Sequence, residues 1–293
     1  TPASFCSIVG FRPSQGRVAA DSGETAFNRM STEGPMARNV ADAAMLLDVM
    51  AGYDSRDPMS LDNPAKSFEE AAAQQDVPPR IAFSPDLGVT PVDPEVAQIC
   101  GQAAKRFEEL GAHVEGAHPD FSGLQEVFQV HRALSYGTSL GPELEANREV
   151  FKPEIVWNIE KGLALTGVEI MDAMVARSKI YQRANEFFST YDLVLTPATV
   201  VPPYPVEQRF VERVGDHEFS NYIEWCSIAY AFTVIGAPAI SIPCGFTQNG
   251  LPVGLQIAAA PRQEARLLSA ASALENLLRL SNQLPIDARV PDS

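Results

Sequence analysis

The sequence predicts an α/β fold, and three observations predict it. Between Arg80 and Ala117 a short apolar run, an amphipathic stretch and a second short run follow one another, the rhythm of a parallel strand pair with a crossover helix. Two further apolar runs, Ala237–Pro243 and Val253–Ile257, are joined through Gln248-Asn249-Gly250, and Asn-Gly between β-type runs signals a hairpin. Helical patterns fill the remainder with no repeat, flexible linker or low-complexity tract, so residues 1–293 read as one domain.

Each element has a local cause. Asn39 is placed to cap a helix, with Asp42 where a carboxylate favours the N-terminus. Apolar residues recur at Val40, Ala43, Ala44, Leu46, Leu47 and Met50, and Gly52 stops the run. Arg80 to Phe83 reads as a buried strand closed by Ser84-Pro85-Asp86. Asp93-Pro94-Glu95 opens a helix whose face is Val96, Ile99, Ala103, Phe107 and Leu110, with Gly111 ending it before a strand at His113–Ala117. Thr166-x-x-Glu169 is a capping box for a long helix through Met171, Met174, Val175, Ile180, Tyr181 and Phe187. Asp192–Pro197 reads as a core strand ended by proline. Pro202-Pro203-Tyr204-Pro205 is extended, and the polar stretch near 200–219 reads as a mobile surface loop. Arg262 to Leu280 closes the chain as an amphipathic helix.

Charge narrows the partners. Lys and Arg number 22 against 37 Asp and Glu, for a net charge of -15. Scattered basic residues in that excess argue against nucleic acid and against an anionic membrane, and fit a cytoplasmic protein. Cys6, Cys100, Cys226 and Cys244 form no C-x-x-C pair and read as reduced, buried thiols. Thr1–Gly10 has no signal-peptide pattern, and no window is long enough to span a bilayer. The four histidines are dispersed, without metal-ligand spacing.

Four separated blocks carry a family resemblance. They are Thr1–Val18, Gly34-Pro-Met-Ala-Arg38 with its helix, Asp192-Leu-Val-Leu-Thr-Pro197, and Thr233–Pro243 continuing into Leu251–Ile257. In that order they resemble the amidase signature family of serine-dependent amide hydrolases, from the first residue to about Leu280. The resemblance implies that family's large mixed β-sheet flanked by helices. It implies hydrolysis of a carboxamide to acid plus ammonia or amine, with no metal or organic cofactor. In the family a serine attacks the amide carbon, a second serine on a cis peptide relays its proton to a neutral lysine, and a glycine-rich loop holds the oxyanion. The motif puts the nucleophile about three residues before Thr1. No residue of this chain takes those catalytic roles, and 1–293 reads as the C-terminal portion of such an enzyme.

What the resemblance leaves to this chain is the acyl side of the pocket. It points to Trp225, Cys226 and Thr233, and less directly to His131 and Tyr136. Ordinary core is the competing reading for Trp225 and Cys226. Transamidating members carry an acidic residue near Cys226 and Asn near Thr233, and both departures argue against an acidic aminoacyl substrate. An inactive scaffold chain remains as an alternative, as does the amidase component of a glutamyl-tRNA amidotransferase, and a homodimer stays open. Ser4 and Ser7 read as packing serines, Arg38 and Asp42 as a structural charge pair at a helix start, and Gln256 as a satisfied buried amide. Gly137-Thr-Ser139-Leu-Gly141 matches the G-x-S-x-G elbow of a Ser-His-Asp esterase. The stretch before it reads as helix rather than strand, and the only later histidine is His217, so the match is chance.

Overall fold

The computed structural model describes residues 1–21, 27 and 30–279. A one-turn helix α1 (Pro2–Phe5) leads into β1 (Val9–Arg12), which pairs antiparallel with β2 (Met36–Ala37). Helix α2 (Val40–Met50) is capped by Asn39, whose Oδ1 accepts from the Asp42 amide at 2.7 Å. Asn39 Nδ2 then donates to the Asp42 carboxylate at 3.0 Å. The capping amide thus takes the place expected for Arg38, and among the described residues no Arg38–Asp42 ion pair forms. A Ser67–Glu70 capping box opens α3 (Phe68–Gln74).

β3 (Arg80–Phe83), α4 (Pro94–Lys105) with a 3₁₀ turn Arg106–Leu110, and β4 (His113–Gly116) form the predicted unit, β3 and β4 being parallel. Asp93 caps α4 by accepting from the amides of Glu95 and Val96. Four helices follow: α5 (Leu124–Leu140), α6 (Leu144–Asn147), α7 (Pro153–Leu163) and α8 (Gly167–Thr190), the last opened by the Thr166–Glu169 box. On α8 the buried side chains are Ala173, Ile180 and Ala184, while Met171, Met174, Val175 and Tyr181 are exposed. Ala173 and Ala184 allow close approach of the neighbouring elements, and Ile180 fills the space between them.

β5 (Leu193–Pro197) is buried throughout. Within 200–219, Val200, Val211 and Val214 are buried, and β6 (Arg213–Val214) pairs with β7 (His217–Glu218). A 3₁₀ turn, Glu224–Cys226, runs into α9 (Ser227–Val234). β8 (Ala239–Phe246) and β9 (Pro252–Ala259) form the predicted hairpin, with Gly250 at φ 77° in its turn, and α10 (Glu264–Leu278) follows. The end expected for this helix, Leu280, lies outside the described residues.

The main sheet has seven strands in the order β2-β1-β8-β9-β5-β3-β4. It is mixed: β5, β3 and β4 are parallel, the other pairs antiparallel. Strand alternation sends Leu193, Leu195, Ile240, Ile242, Leu255 and Ile257 to one face, under α2, α3, α4 and α10. Val194, Ala239 and Ala258 point to the other, under α5, α8 and α9. That second face positions the site.

Candidate active site

The floor of the site follows from strand register. Gly10 lies opposite Ser241, Ser241 opposite Gln256, and Gln256 opposite Thr196. Directly opposed residues share a face, so β1, β8, β9 and β5 present one row of small and polar side chains. The next row on that face is Arg12, Ala239, Ala258 and Val194. A cleft of about 190 Å³ lies over these rows, lined among others by Thr1, Arg12, Ala198, Ala229, Ser241 and Gln256.

Two polar side chains of the floor are tied to α9. Gln256 Nε2 donates to the Ile228 carbonyl at 3.0 Å, so the expectation of a satisfied buried amide holds. Arg12 Nη1 donates to the Ala229 carbonyl at 2.8 Å, and burial pulls the guanidinium down to about 10. The remaining guanidinium nitrogens of Arg12, Ser241 Oγ and Thr196 Oγ1 are buried without a hydrogen-bond partner among the described residues. Buried polar groups are ordinarily paired, and unspent polar atoms gathered under a cleft make this row the candidate site.

Three aromatic rings pack together at the end of α1. Phe5 stacks on Trp225 at 6.4 Å between centroids, and Tyr204 meets both edge-on at 5.7 and 6.1 Å. Trp225 is buried and donates from Nε1 to the Tyr222 carbonyl at 2.9 Å. Cys226, next on the turn, is half-buried, and burial pushes its thiol up to about 12. Thr233 lies two turns further along the same side of α9, half-buried.

The α5 residues divide. Tyr136 is packed with Arg132, which donates to its hydroxyl at 3.0 Å and sits 4.7 Å over its ring. His131 is buried, and neither ring nitrogen has a partner among the described residues. Burial, followed by the Arg177 charge, holds it down at about 4. It is a neutral imidazole at ordinary pH. The structure thus brings Trp225 and Cys226 together with Phe5 and Tyr204, and Tyr136 with Arg132. It does not join His131 or Thr233 to either group. Phe5, Tyr204, Arg12 and Arg132 are not singled out by sequence reasoning. The Phe-Arg-Pro run of Thr1–Val18 holds the only signal for Arg12, a charge inside a buried strand.

The decoys resolve physically. Ser4 Oγ accepts from the Gly254 amide at 3.1 Å, and Ser7 is a buried residue at φ 54°. Ser4 is therefore a packing serine, while Ser7 Oγ has no hydrogen-bond partner among the described residues. Gly137–Gly141 lies in the last turns of α5 with Ser139 exposed, so no nucleophile elbow exists there. Gly137 is there for packing: a Cβ on it would come within 3.0–3.2 Å of the Gly162–Leu163 backbone of α7. Of the cysteines, Cys100 and Cys244 are buried with their sulfurs 3.8 Å apart, but Cys6 is exposed, contrary to a uniformly buried set. Cys6 is the C-cap of α1. Among the described residues no three His, Cys, Asp or Glu side chains form a metal cluster, and no helix is long and apolar enough to cross a membrane.

Comparison with known proteins agrees with this architecture. The amidase family profile matches residues 1–268. An acylamidase of Rhodococcus erythropolis is 31% identical over 99% of this chain and 61% of its own length. The A component of a glutamyl-tRNA(Gln) amidotransferase, from Moorella thermoacetica, is also 31% identical, over 97% of this chain and 62% of its own. A bacterial aryl acylamidase of the amidase signature family superposes with TM-score 0.89 at 26% identity, covering 99% of this chain and 62% of that one. The chain therefore spans about three-fifths of the length of the relatives it matches. Over that span, with its seven-stranded mixed sheet and its polar row beneath α9, the chain belongs to the amidase family, the amidase signature enzymes.

Proposed function

We propose that the protein hydrolyses a carboxamide to a carboxylic acid and ammonia or amine. The family match over residues 1–268 supports the reaction class. The observation that carries the reading for this chain is the row Gly10–Ser241–Gln256–Thr196 under a cleft that α1 and α9 border. In this reading the serine nucleophile, its relay serine and the lysine base stand before Thr1 in the amidase order. Residues of 1–293 shape the acyl side. Trp225, Cys226 and Tyr136 line it, and His131 and Thr233 back that lining. Phe5 and Tyr204 exclude water from the reacting carbonyl, which strengthens the oxyanion contacts of acyl transfer.

The partner is a small amide. The charge of -15 disfavours nucleic acid and anionic membrane and fits a cytoplasmic enzyme. A homodimer is compatible with the exposed apolar side chains of α8. A transamidating role is the second reading, favoured by the Moorella relative's equal identity. The thiol of Cys226 in place of a carboxylate weighs against it.

The test is an assay of the protein encoded by the whole reading frame on a panel of acyl p-nitroanilides and free amides. Release of p-nitroaniline or ammonia is expected, abolished when the serine three positions before Thr1 is replaced by alanine. A folded protein that turns over no aliphatic or aromatic amide would sink the reading. Ammonia release from glutamine only with a charged tRNA present would favour the transamidating one.

A further inference from the structure

Two cations on facing helices stand without a carboxylate partner among the described residues. Arg132 on α5 donates from Nε and Nη2 to the Tyr222 hydroxyl at 3.3 and 2.8 Å and from Nη2 to the Tyr136 hydroxyl at 3.0 Å. Its guanidinium lies 4.7 to 5.9 Å from the ring centres of Tyr136, Tyr222 and Phe128. Nη1 makes no hydrogen bond among the described residues. Lys161 on α7 donates to Gln129 Oε1 at 3.3 Å and sits 5.0 Å over Trp157, whose ring meets Tyr222 edge-on. Gln129 passes the network on to Asn221, and Asn158 donates to the Tyr222 hydroxyl. Asn158 is fully buried, and its Oδ1 has no partner among the described residues.

This arrangement is costly unless it serves an anion. Half-buried cations are ordinarily neutralised, and a chain with 37 acidic residues has carboxylates to spare. Two neighbouring ones are committed elsewhere. Glu154 pairs with Arg209 at 2.6 Å. Glu224 accepts from the Ser220 amide at 2.7 Å and lies 3.7 Å from His217. Phenols and ring faces hold the Arg132 fork in place without cancelling its charge, which leaves an edge suited to a planar oxyanion. Burial also lowers the Lys161 ammonium, as it does for a cation that lacks a counter-charge. The cluster is joined to Trp225 through Tyr222, whose hydroxyl accepts from Arg132 and whose carbonyl accepts from Trp225 Nε1. Tyr222 also lines a cleft of about 380 Å³ beside α7.

We propose that Arg132 and Lys161 form an anion subsite at the distal end of the acyl pocket, and that the substrate is an amide whose acyl chain ends in a carboxylate. The inference rests on the amide-hydrolase reading for its substrate, but not for its ligand. The carboxylate binds the free edge of Arg132 with Lys161 as the second cation, and the apolar chain runs back past Cys226, Trp225 and Tyr204 towards Phe5.

Two measurements test it on the full-length protein. The first compares kcat/KM for the mono-p-nitroanilides of glutaric and adipic acid with neutral branched acyl p-nitroanilides of equal size. A preference for the half-acids of roughly 10- to 100-fold, residing in KM, is expected. Arg132→Met should abolish the preference, Arg132→Lys should restore part of it, and Lys161→Met should reduce it. The second is tryptophan emission, to which Trp157 and Trp225 at this site contribute, on titration with glutarate, with Trp157→Phe as the control that assigns the signal. A saturable change is expected, absent with chloride at equal ionic strength and weakened in Lys161→Met, which leaves the Arg132–Tyr222 bonds in place. Equal kcat/KM for charged and neutral substrates together with no glutarate response overturns the subsite and leaves amide hydrolysis standing. Saturable glutarate binding without turnover of any amide supports the subsite and overturns the reaction.

Discussion

Arg12 on β1 donates to the Ala229 carbonyl on α9 at 2.8 Å, a bond between residues 217 positions apart. It ties an outer part of the sheet to the helix that follows Trp225 and Cys226, and both of its residues line the cleft. Removing it leaves a carbonyl without its donor, but it also removes a desolvated charge. Arg12→Met should therefore cost a net of about 1–2 kcal/mol, read as a lower urea midpoint at unchanged m-value. Arg12→Lys should recover part of it. A midpoint that stays level or rises in Arg12→Met would show that the bond does not stabilise the fold.

The anion subsite depends on how closely α5 and α7 approach. A Cβ on Gly162 would stand 2.0 Å from the Ala133 carbonyl oxygen, which belongs to helix backbone and cannot yield. Gly162→Ala should separate the helices and destabilise by about 1–3 kcal/mol. Because Arg132 and Lys161 lie on opposite sides of this contact, glutarate binding should weaken too. Full stability with undiminished glutarate response would contradict the packing described here.

Much of the fold is legible in sequence because its signals are local. The Asp93-Pro94 and Thr166–Glu169 starts and the Asn249-Gly250 turn specify their own backbone through caps and turn residues. The polar row is not legible. In strands buried on both faces, alternation is invisible, so nothing in Ala237–Pro243 or Val253–Ile257 says that Ser241 and Gln256 share a face with Gly10 and Thr196. Register decides that, and register involves residues far apart in the chain. The Arg132 cluster is hidden for the same reason: Tyr136 is on its own helix, but Tyr222, Trp157 and Lys161 meet it only through tertiary packing. The resemblance supplied Trp225 and Cys226, and the geometry added Phe5 and Tyr204 beside them.

Two titratable groups, buried His131 and half-buried Glu275, give stability opposite pH slopes. His131 falls from 6.5 to about 4 on folding, chiefly by burial. The unfolded chain binds the proton more tightly, so this contribution is present above pH 6.5 and is lost as pH falls towards 4. Glu275 accepts from the Val40 amide, yet burial raises it from 4.5 to about 7. Its contribution is present below pH 4.5 and is lost as pH rises through 7. His131→Leu should flatten the acid limb of the stability profile, by on the order of 1–3 kcal/mol at about pH 4. Glu275→Gln should raise stability at about pH 8 by a similar order. Variant profiles running parallel to wild type across these windows would refute the assignments.

Trp225 and Cys226 are adjacent but should respond differently to substitution. Trp225 is buried between Phe5 and Tyr204 and holds the Tyr222 carbonyl, so Trp225→Ala should cost about 3–5 kcal/mol and lower the melting temperature. Cys226 is half-buried. On the proposed reading, a larger residue there fills the acyl pocket rather than the core. Cys226→Phe in the full-length enzyme should leave the melting temperature within a few degrees of wild type. It should also lower kcat/KM for long acyl groups by roughly ten-fold or more relative to acetyl. The comparison needs only two p-nitroanilides and a melting curve. If stability collapses while the ratio of long to short acyl groups stays constant, Cys226 belongs to the core, and the acyl chain takes another route from the polar row to Arg132.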